Sequence, residues 1–260
     1  MMHVTLAAQG VLGPGLPGWD AARAALSGAA PYLPVPAPEP APALLPATER
    51  RRASATVRWA LAVGEEVLRT SGRDAVGLAT VFASCGGDGG ITHQICEALA
   101  APPRTVSPTR FHNSVHNAPA GYWSIAAQSH APSTSLGGGE GSFAVGLLEA
   151  ATQATVEARS VLLIAYDLPY PPPLHALWPV AQPFAASMLL DPAGAAGVAL
   201  RLELGAGAAR ETWPASIPPE VRTNPAARAL ALLAGAARGG DSRHELPYSE
   251  SSHLVVEVRA

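Results

Sequence analysis

The chain has 260 residues, 48% of them hydrophobic and 14% charged, with a formal net charge of −3. That balance describes a protein with a sizeable core and excludes a nucleic-acid partner recruited by basic charge; no apolar run approaches the roughly 20 residues of a membrane helix. All 17 basic residues are arginine, which excludes Schiff-base and other lysine chemistry.

In chain order, Val4 to Ala8 reads as a buried strand, and Gly10, Gly13-Pro14-Gly15, Trp19 and Leu26-Ser27-Gly28 as a glycine turn and a short helix. The start lacks a basic n-region, so no signal peptide is expected and the chain reads as cytoplasmic. Residues 29–47 are Pro/Ala-rich and predict an extended surface loop. A helix follows from about Ser54 to Thr70, with Val57, Leu61, Val67 and Leu68 as its apolar stripe and Gly72 as its stop. Val76 to Ala83 is a buried strand, Gly86 to Gly90 a flexible turn and Ile91 to Ala100 a helix. Cys85 and Cys96 lie far from histidines of metal-ligand spacing and read as buried thiols rather than a disulfide.

The same alternation continues. A helix is expected over Phe111 to Gln128, a short strand over Thr134 to Leu136, a helix after Glu140 and a strand over Val161 to Tyr166. Ala186 to Leu190 and Val198 to Leu204 read as paired strands around Asp191-Pro192-Ala193-Gly194. Asn224-Pro225 opens a helix ending near Gly239-Gly240, and Leu254 to Val258 is the last strand. Strands alternating with helices predict an α/β fold, a mixed, mainly parallel sheet with helices on both faces.

One segment carries a more specific signal. Ser107-Pro108, Asn117, Ala120-Gly121, Ile125, Ala131-Pro132, Glu140, Gly141-Ser142 and the apolar run Phe143 to Ala150 follow one another without a gap. In that order the segment resembles the active-site region of the β-ketoacyl synthases, the ketosynthase branch of the thiolase-like proteins. The resemblance puts Glu140 where the family carries its nucleophilic cysteine. A carboxylate cannot serve as the acyl-carrying thiolate, so it implies an inherited fold and a lost condensation chemistry. A ketosynthase also has a second half bearing two histidines in HGT and NxxxGH settings. Neither motif occurs here, and the residues after Leu204 are too few for such a half. The resemblance covers about residues 1–205. It is similar above all to short, chain-length-factor-like proteins associated with aryl polyene and related pathways, through the phrase SPTRFHNSVHNAPAGYWSI. It implies a thiolase-like half: one ketosynthase-like N-terminal domain over 1–260, with 29–47 a loop and 206–260 a divergent extension.

Each candidate has a plain reading beside its chemical one. Glu140 is either a helix-terminus acid, stabilised by the helix dipole, or a group that polarises a bound acyl chain or water. His112 and His116 would share a helix face at i, i+4. A zinc site needs a third ligand, which no recognisable spacing supplies, so no metal and no cofactor are expected, and interface or pocket hydrogen bonding is preferred. Asn117 is expected to bond neighbouring backbone. Tyr122 and Trp123, with Phe111, Val115 and Ile125, load the 111–128 helix with apolar and aromatic side chains and suggest a subunit interface. Ser142 and Phe143 join these as pocket or interface candidates; Ser142 is no nucleophile elbow, because GxSxG needs glycine at Ala144. Gly86 to Gly90 lacks the phosphate-loop lysine and Gly137 to Gly139 lacks a dinucleotide fingerprint, so both read as tight turns. Arg50-Arg51-Arg52 reads as a solvated patch or a contact for an acidic acyl carrier protein.

These readings imply a non-condensing, chain-length-factor-like partner in type II fatty-acid or polyketide biosynthesis, paired with a ketosynthase subunit or with its own copy. Two alternatives stay open: a decarboxylase or hydrolase of acyl-carrier thioesters using Glu140 with His112 or His116, and a non-catalytic binder of acyl carrier protein.

Overall fold

The computed structural model describes residues 1–259. Strand β1 (Met2–Leu12) leads into helix α1 (Trp19–Ser27), and the Pro/Ala-rich segment then crosses the surface to α2 (Ala47–Arg52) and α3 (Ala55–Ser71). Glu65 pins that segment by accepting from the N–H groups of Ala43 and Leu44, both at 2.9 Å. Local chemistry sets the bounds of α3: Ser54 Oγ accepts from Val57 N at one end, and Gly72, in the left-handed region at φ 68°, closes the other.

Strand β2 (Ala79–Ala83), helix α4 (Gly89–Ala100), the short α5 (Pro108–Asn113) and α6 (Ala118–Ala127) come next. The single helix expected over Phe111 to Gln128 is therefore two. Pro119 is the reason: its ring and missing N–H suit only a first turn, and it occupies that place in α6. Strand β3 (Ser133–Leu136), helix α7 (Ser142–Val156), β4 (Val161–Asp167), β5 (Phe184–Pro192) and β6 (Val198–Ala206) follow. The chain then forms α8 (Pro219–Arg222), a 3-10 turn at Pro225–Arg228, α9 (Ala229–Arg238) and a hairpin of β7 (Ser242–Ser249) with β8 (Ser252–Arg259). Strand β7 had no counterpart in the sequence reading.

All eight strands form one sheet in the order β3-β2-β4-β5-β1-β6-β8-β7. The sheet is mixed and carries helices on both faces. Its parallel part is smaller than the alternation of elements suggested: only β3–β2 and β2–β4 run parallel, and the other five pairs are antiparallel. Parallel neighbours need a long crossover, which α4 to α6 supply between β2 and β3 and α7 supplies between β3 and β4. Strands β5 and β6 also do not pair with each other. Strand β1 lies between them, with Val4 opposite both Pro192 and Leu200. Gly197 (φ 143°) makes this possible, since a side chain there would strike the Leu6 carbonyl of β1.

One core lies under α1, α7 and α9, and a second under α3 and α6. Strands β2 and β4 are buried along their whole length, as strands covered on both faces must be. The outer strands β6 and β8 alternate instead: Leu200, Leu202, Val256 and Val258 point inward, while Arg201, Glu203 and Glu257 pair on the other face. Residues 206–259, expected as an extension, thus complete the sheet. No helix among the described residues is long and apolar enough to cross a membrane.

Candidate functional site

The site lies where β2, β3 and β4 end, at the carboxyl edge of the parallel strands, the usual place for ligand groups in such sheets. Beyond Leu136 the chain turns through Gly137 to Gly139 (φ 52°) into a 3-10 turn, Gly139–Gly141, and then into α7. Ser142 ties the turn together, donating from Oγ to the Gly139 carbonyl at 2.6 Å and accepting from Gly138 N at 3.1 Å. That is a structural duty. Phe143, likewise proposed for a pocket or interface, is buried in the core under α7.

Glu140 therefore stands at a helix entrance, as expected, and has a partner that no local pattern announced. Its Oε2 lies 2.9 Å from Nη2 of Arg228, whose side chain is only 9% exposed. Arg228 also bonds Glu211 through Nε at 3.0 Å and Nη2 at 3.4 Å. The far side of the turn is closed too: a Cβ on Gly141 would lie 2.5 Å from the Tyr248 carbonyl. The turn is thus held between the 211–228 segment and the end of β7.

Behind it sits a buried polar network. Asp167, at the end of β4, accepts from Ser84 Oγ and from Cys85 N, both at 2.8 Å, while its other oxygen has no partner. Burial pushes the Asp167 carboxyl up to about 7 against the pull of those hydrogen bonds, and the Glu140 charge adds to the rise. Ser84 Oγ accepts from Gly87 N at 3.0 Å. Asn224 donates from Nδ2 to the carbonyls of Asp167 (2.7 Å) and Gln182 (3.0 Å), so one side chain joins β4 to the turn carrying Arg228. Cys85 Sγ lies 3.5 Å from the Tyr170 hydroxyl. Its thiol is pushed up to about 12, by burial first and by the Asp167 charge second, so it is a neutral thiol and a poor nucleophile. Both cysteines are free, as expected, but neither is fully buried: Cys85 is half-buried and Cys96 exposed.

The glycine run at 86–90 proves to be a place of close approach. The Tyr170 ring lies on it, and side chains at Gly86 or Gly89 would collide with that ring. Arg51 and Arg52 are exposed on α2, Arg52 only 3.6 Å from its neighbour Glu49.

The break before Pro119 separates the two histidines. His112, on α5, meets the Tyr122 ring edge-on at 5.6 Å and lines a groove of about 420 Å³ with Arg52 and Ile125. His116 turns toward the site, with Nε2 3.3 Å from the Ser84 carbonyl and beside Gly137. They share no helix face, and among the described residues no group of three His, Cys, Asp or Glu is placed to hold a metal ion. Asn117 is exposed at the start of α6 and caps it with no side-chain bond. Tyr122 and Trp123, assigned to an interface by their size, point the other way: they are 1% and 2% exposed, packed under α3 against their own sheet. Periodicity shows that a helix has an apolar face, not which neighbour covers it.

Arg228, Glu211, Asp167 and Tyr170 escaped the sequence reading, which had Cys85 only as a buried thiol. Only Asp167 carried a usable signal, an acid closing an apolar strand at the carboxyl edge of the sheet.

The model of the β-ketoacyl synthase N-terminal domain matches residues 24–239, further than the 1–205 over which the resemblance was legible. No curated protein sequence matches the chain. Among solved structures, the chain is 25% identical to one in the complex of a ketosynthase with its chain length factor from Xenorhabdus doucetiae, covering 100% of both chains with a TM-score of 0.73. The ishigamide ketosynthase/chain length factor is similar in fold at 14% identity and TM-score 0.71, covering 100% of this chain and 99% of that one. A type II polyketide ketosynthase in complex with its acyl-carrier protein gives 11% and 0.78, again over 100% and 99%.

Proposed function

We propose a partner role from one premise: the chain belongs to the β-ketoacyl synthase N-terminal domain family. Within that family it acts as a non-condensing, chain-length-factor-like subunit of a ketosynthase, in type II fatty-acid or polyketide biosynthesis of the aryl polyene kind. The observation that carries this reading is helix α4. Ile91, Ile95 and Leu99 form a stripe along it, yet of its 12 residues only Gly89 is buried. Phe111 (68% exposed), Val115, Ile125 and Leu99 (50% each) add to the apolar surface on and around α4 to α6, and β3 is an edge strand with one side unpaired. Large exposed apolar side chains beside an open strand edge suit a protein contact. The similar structures that are complexes of a ketosynthase and a chain length factor favour a ketosynthase as its occupant.

Coexpression with a type II ketosynthase from the same organism, followed by size exclusion with light scattering, tests this. A heterodimer is expected. Placing Asp at Leu99 and at Phe111 should weaken it by about 30-fold or more per site, the factor that corresponds to an interface anchor worth about 2 kcal/mol. Both side chains are exposed, so folding should be unaffected. A chain that stays monomeric beside the ketosynthase, or charged variants that bind as the wild type does, would refute the reading.

The chemical alternative is disfavoured by Arg228, which engages the Glu140 carboxylate, and by the presence of His116 alone near the turn. Neither the wild type nor Glu140→Cys is expected to form a β-ketoacyl product from acyl- and malonyl-loaded carrier protein, because a thiol supplies only one of the groups condensation requires. Intact-mass analysis of the carrier reads this out, and any product from the single variant contradicts it.

A further inference from the structure

We infer that the position of the family's nucleophile has become a carboxylate-binding site, built by Arg228 and filled in the native chain by Glu140 itself. A guanidinium offers five N–H donors in a planar fork that matches the two oxygens of a carboxylate. In Arg228, Nε and Nη2 are taken by Glu211, Nη2 is shared with one oxygen of Glu140, and Nη1 has no partner at all. A guanidinium this buried needs a counter-charge. Glu211 takes Nε and Nη2, and Glu140 reaches Nη2 with a single oxygen from the Gly139–Gly141 turn. With the Glu140 side chain removed, a free carboxylate can take its place at Nη2. The Glu140 side chain is 63% exposed, so the space it leaves when truncated faces solvent beside Nη2, while Nη1 stays buried. In the native chain the contact also ties the turn before α7 to the 211–228 segment, so Arg228 is a positioning residue and Glu140 its tethered ligand. This goes beyond the partner role, and it is tested on the isolated chain, so a failed ketosynthase complex leaves it standing.

The experiment is rescue by small carboxylates. Glu140→Ala should melt about 3 °C below the wild type, the size of a modest interaction in a chain of this length. Sodium acetate or formate, titrated against sodium chloride at constant ionic strength, should raise that melting temperature along a saturating curve, whereas chloride alone should not. The wild type should show no carboxylate-specific rise, because its site is filled, and Glu140→Ala combined with Arg228→Gln should show none because the fork is gone. The inference is overturned if Glu140→Ala melts with the wild type, if acetate and chloride act alike on it, or if the double variant responds as the single one does. Should the double variant fail to fold, an equal acetate response of wild type and Glu140→Ala still overturns it.

Discussion

Trp123→Ala is expected to destabilise the chain by about 3–5 kcal/mol, the range for removing a fully buried indole. The ring is 2% exposed, meets Phe82 edge-on with centroids 6.4 Å apart, and lies so close to α3 that a Cβ on Gly64 would be 2.7 Å from its Cζ3. Around it α3 and α6 are both seated on the sheet, so the vacated space cannot collapse without moving a helix. Its Nε1 has no partner, so the loss is one of packing and not of a hydrogen bond. Ile125→Ala, two positions along the same helix but half exposed, should change stability by less than about 0.5 kcal/mol. Urea denaturation of the two variants measures the contrast. If both lie within error of the wild type, the inward orientation of Trp123 is wrong and the interface assignment for that side chain returns.

The second large effect concerns pH. Asp167 is harder to ionise in the fold, at about 7 against an ordinary 3.8, because burial outweighs the hydrogen bonds from Ser84 and Cys85. Between those values the folded chain holds the proton more tightly than the unfolded one. Unfolding then releases protons, so this group's contribution to stability is greatest below about pH 4, falls as pH rises to about 7 and is level above it. A gap of this size corresponds to a loss of about 4 kcal/mol across the window. Asp167→Asn keeps an acceptor for both donors and carries no charge. Its stability relative to the wild type should therefore rise from pH 4 to pH 8, by most of that amount. Denaturation of both proteins at several pH values gives the difference directly, in which the other titrating groups largely cancel. Parallel profiles would show that Asp167 is not a buried titrating group.

How legible the molecule was depended on the range of the interaction concerned. The bounds of α3 could be read from Ser54 and Gly72, and the turn entering α9 from Asn224-Pro225, because capping involves residues a few positions apart. The break between α5 and α6 was equally local: Pro119 announced it, and the apolar run around it was read as one helix regardless. The placement of Glu140 at a helix entrance also came through, since a gapless segment keeps its spacing whatever the rest of the chain does.

Tertiary structure alone decided the rest. The insertion of β1 between β5 and β6 is a choice of strand neighbours, which the period of a strand does not encode. The same holds for the faces of α6: Tyr122 and Trp123 are apolar enough for a core or an interface, and only the presence of α3 above them selects the core. The ties of the site are longer still. Cys85 and Asp167 are 82 positions apart, and the Glu140–Arg228 pair spans β4, β5 and β6. By itself the sequence determined most of the helices and strands, though not β7 or the break between α5 and α6, and it placed a carboxylate at the entrance to α7, because propensity, capping and residue identity are properties of short stretches of chain. Which charges meet, and which apolar faces remain uncovered, depends on how the sheet brings distant segments together at its carboxyl edge, and no local pattern carries that information.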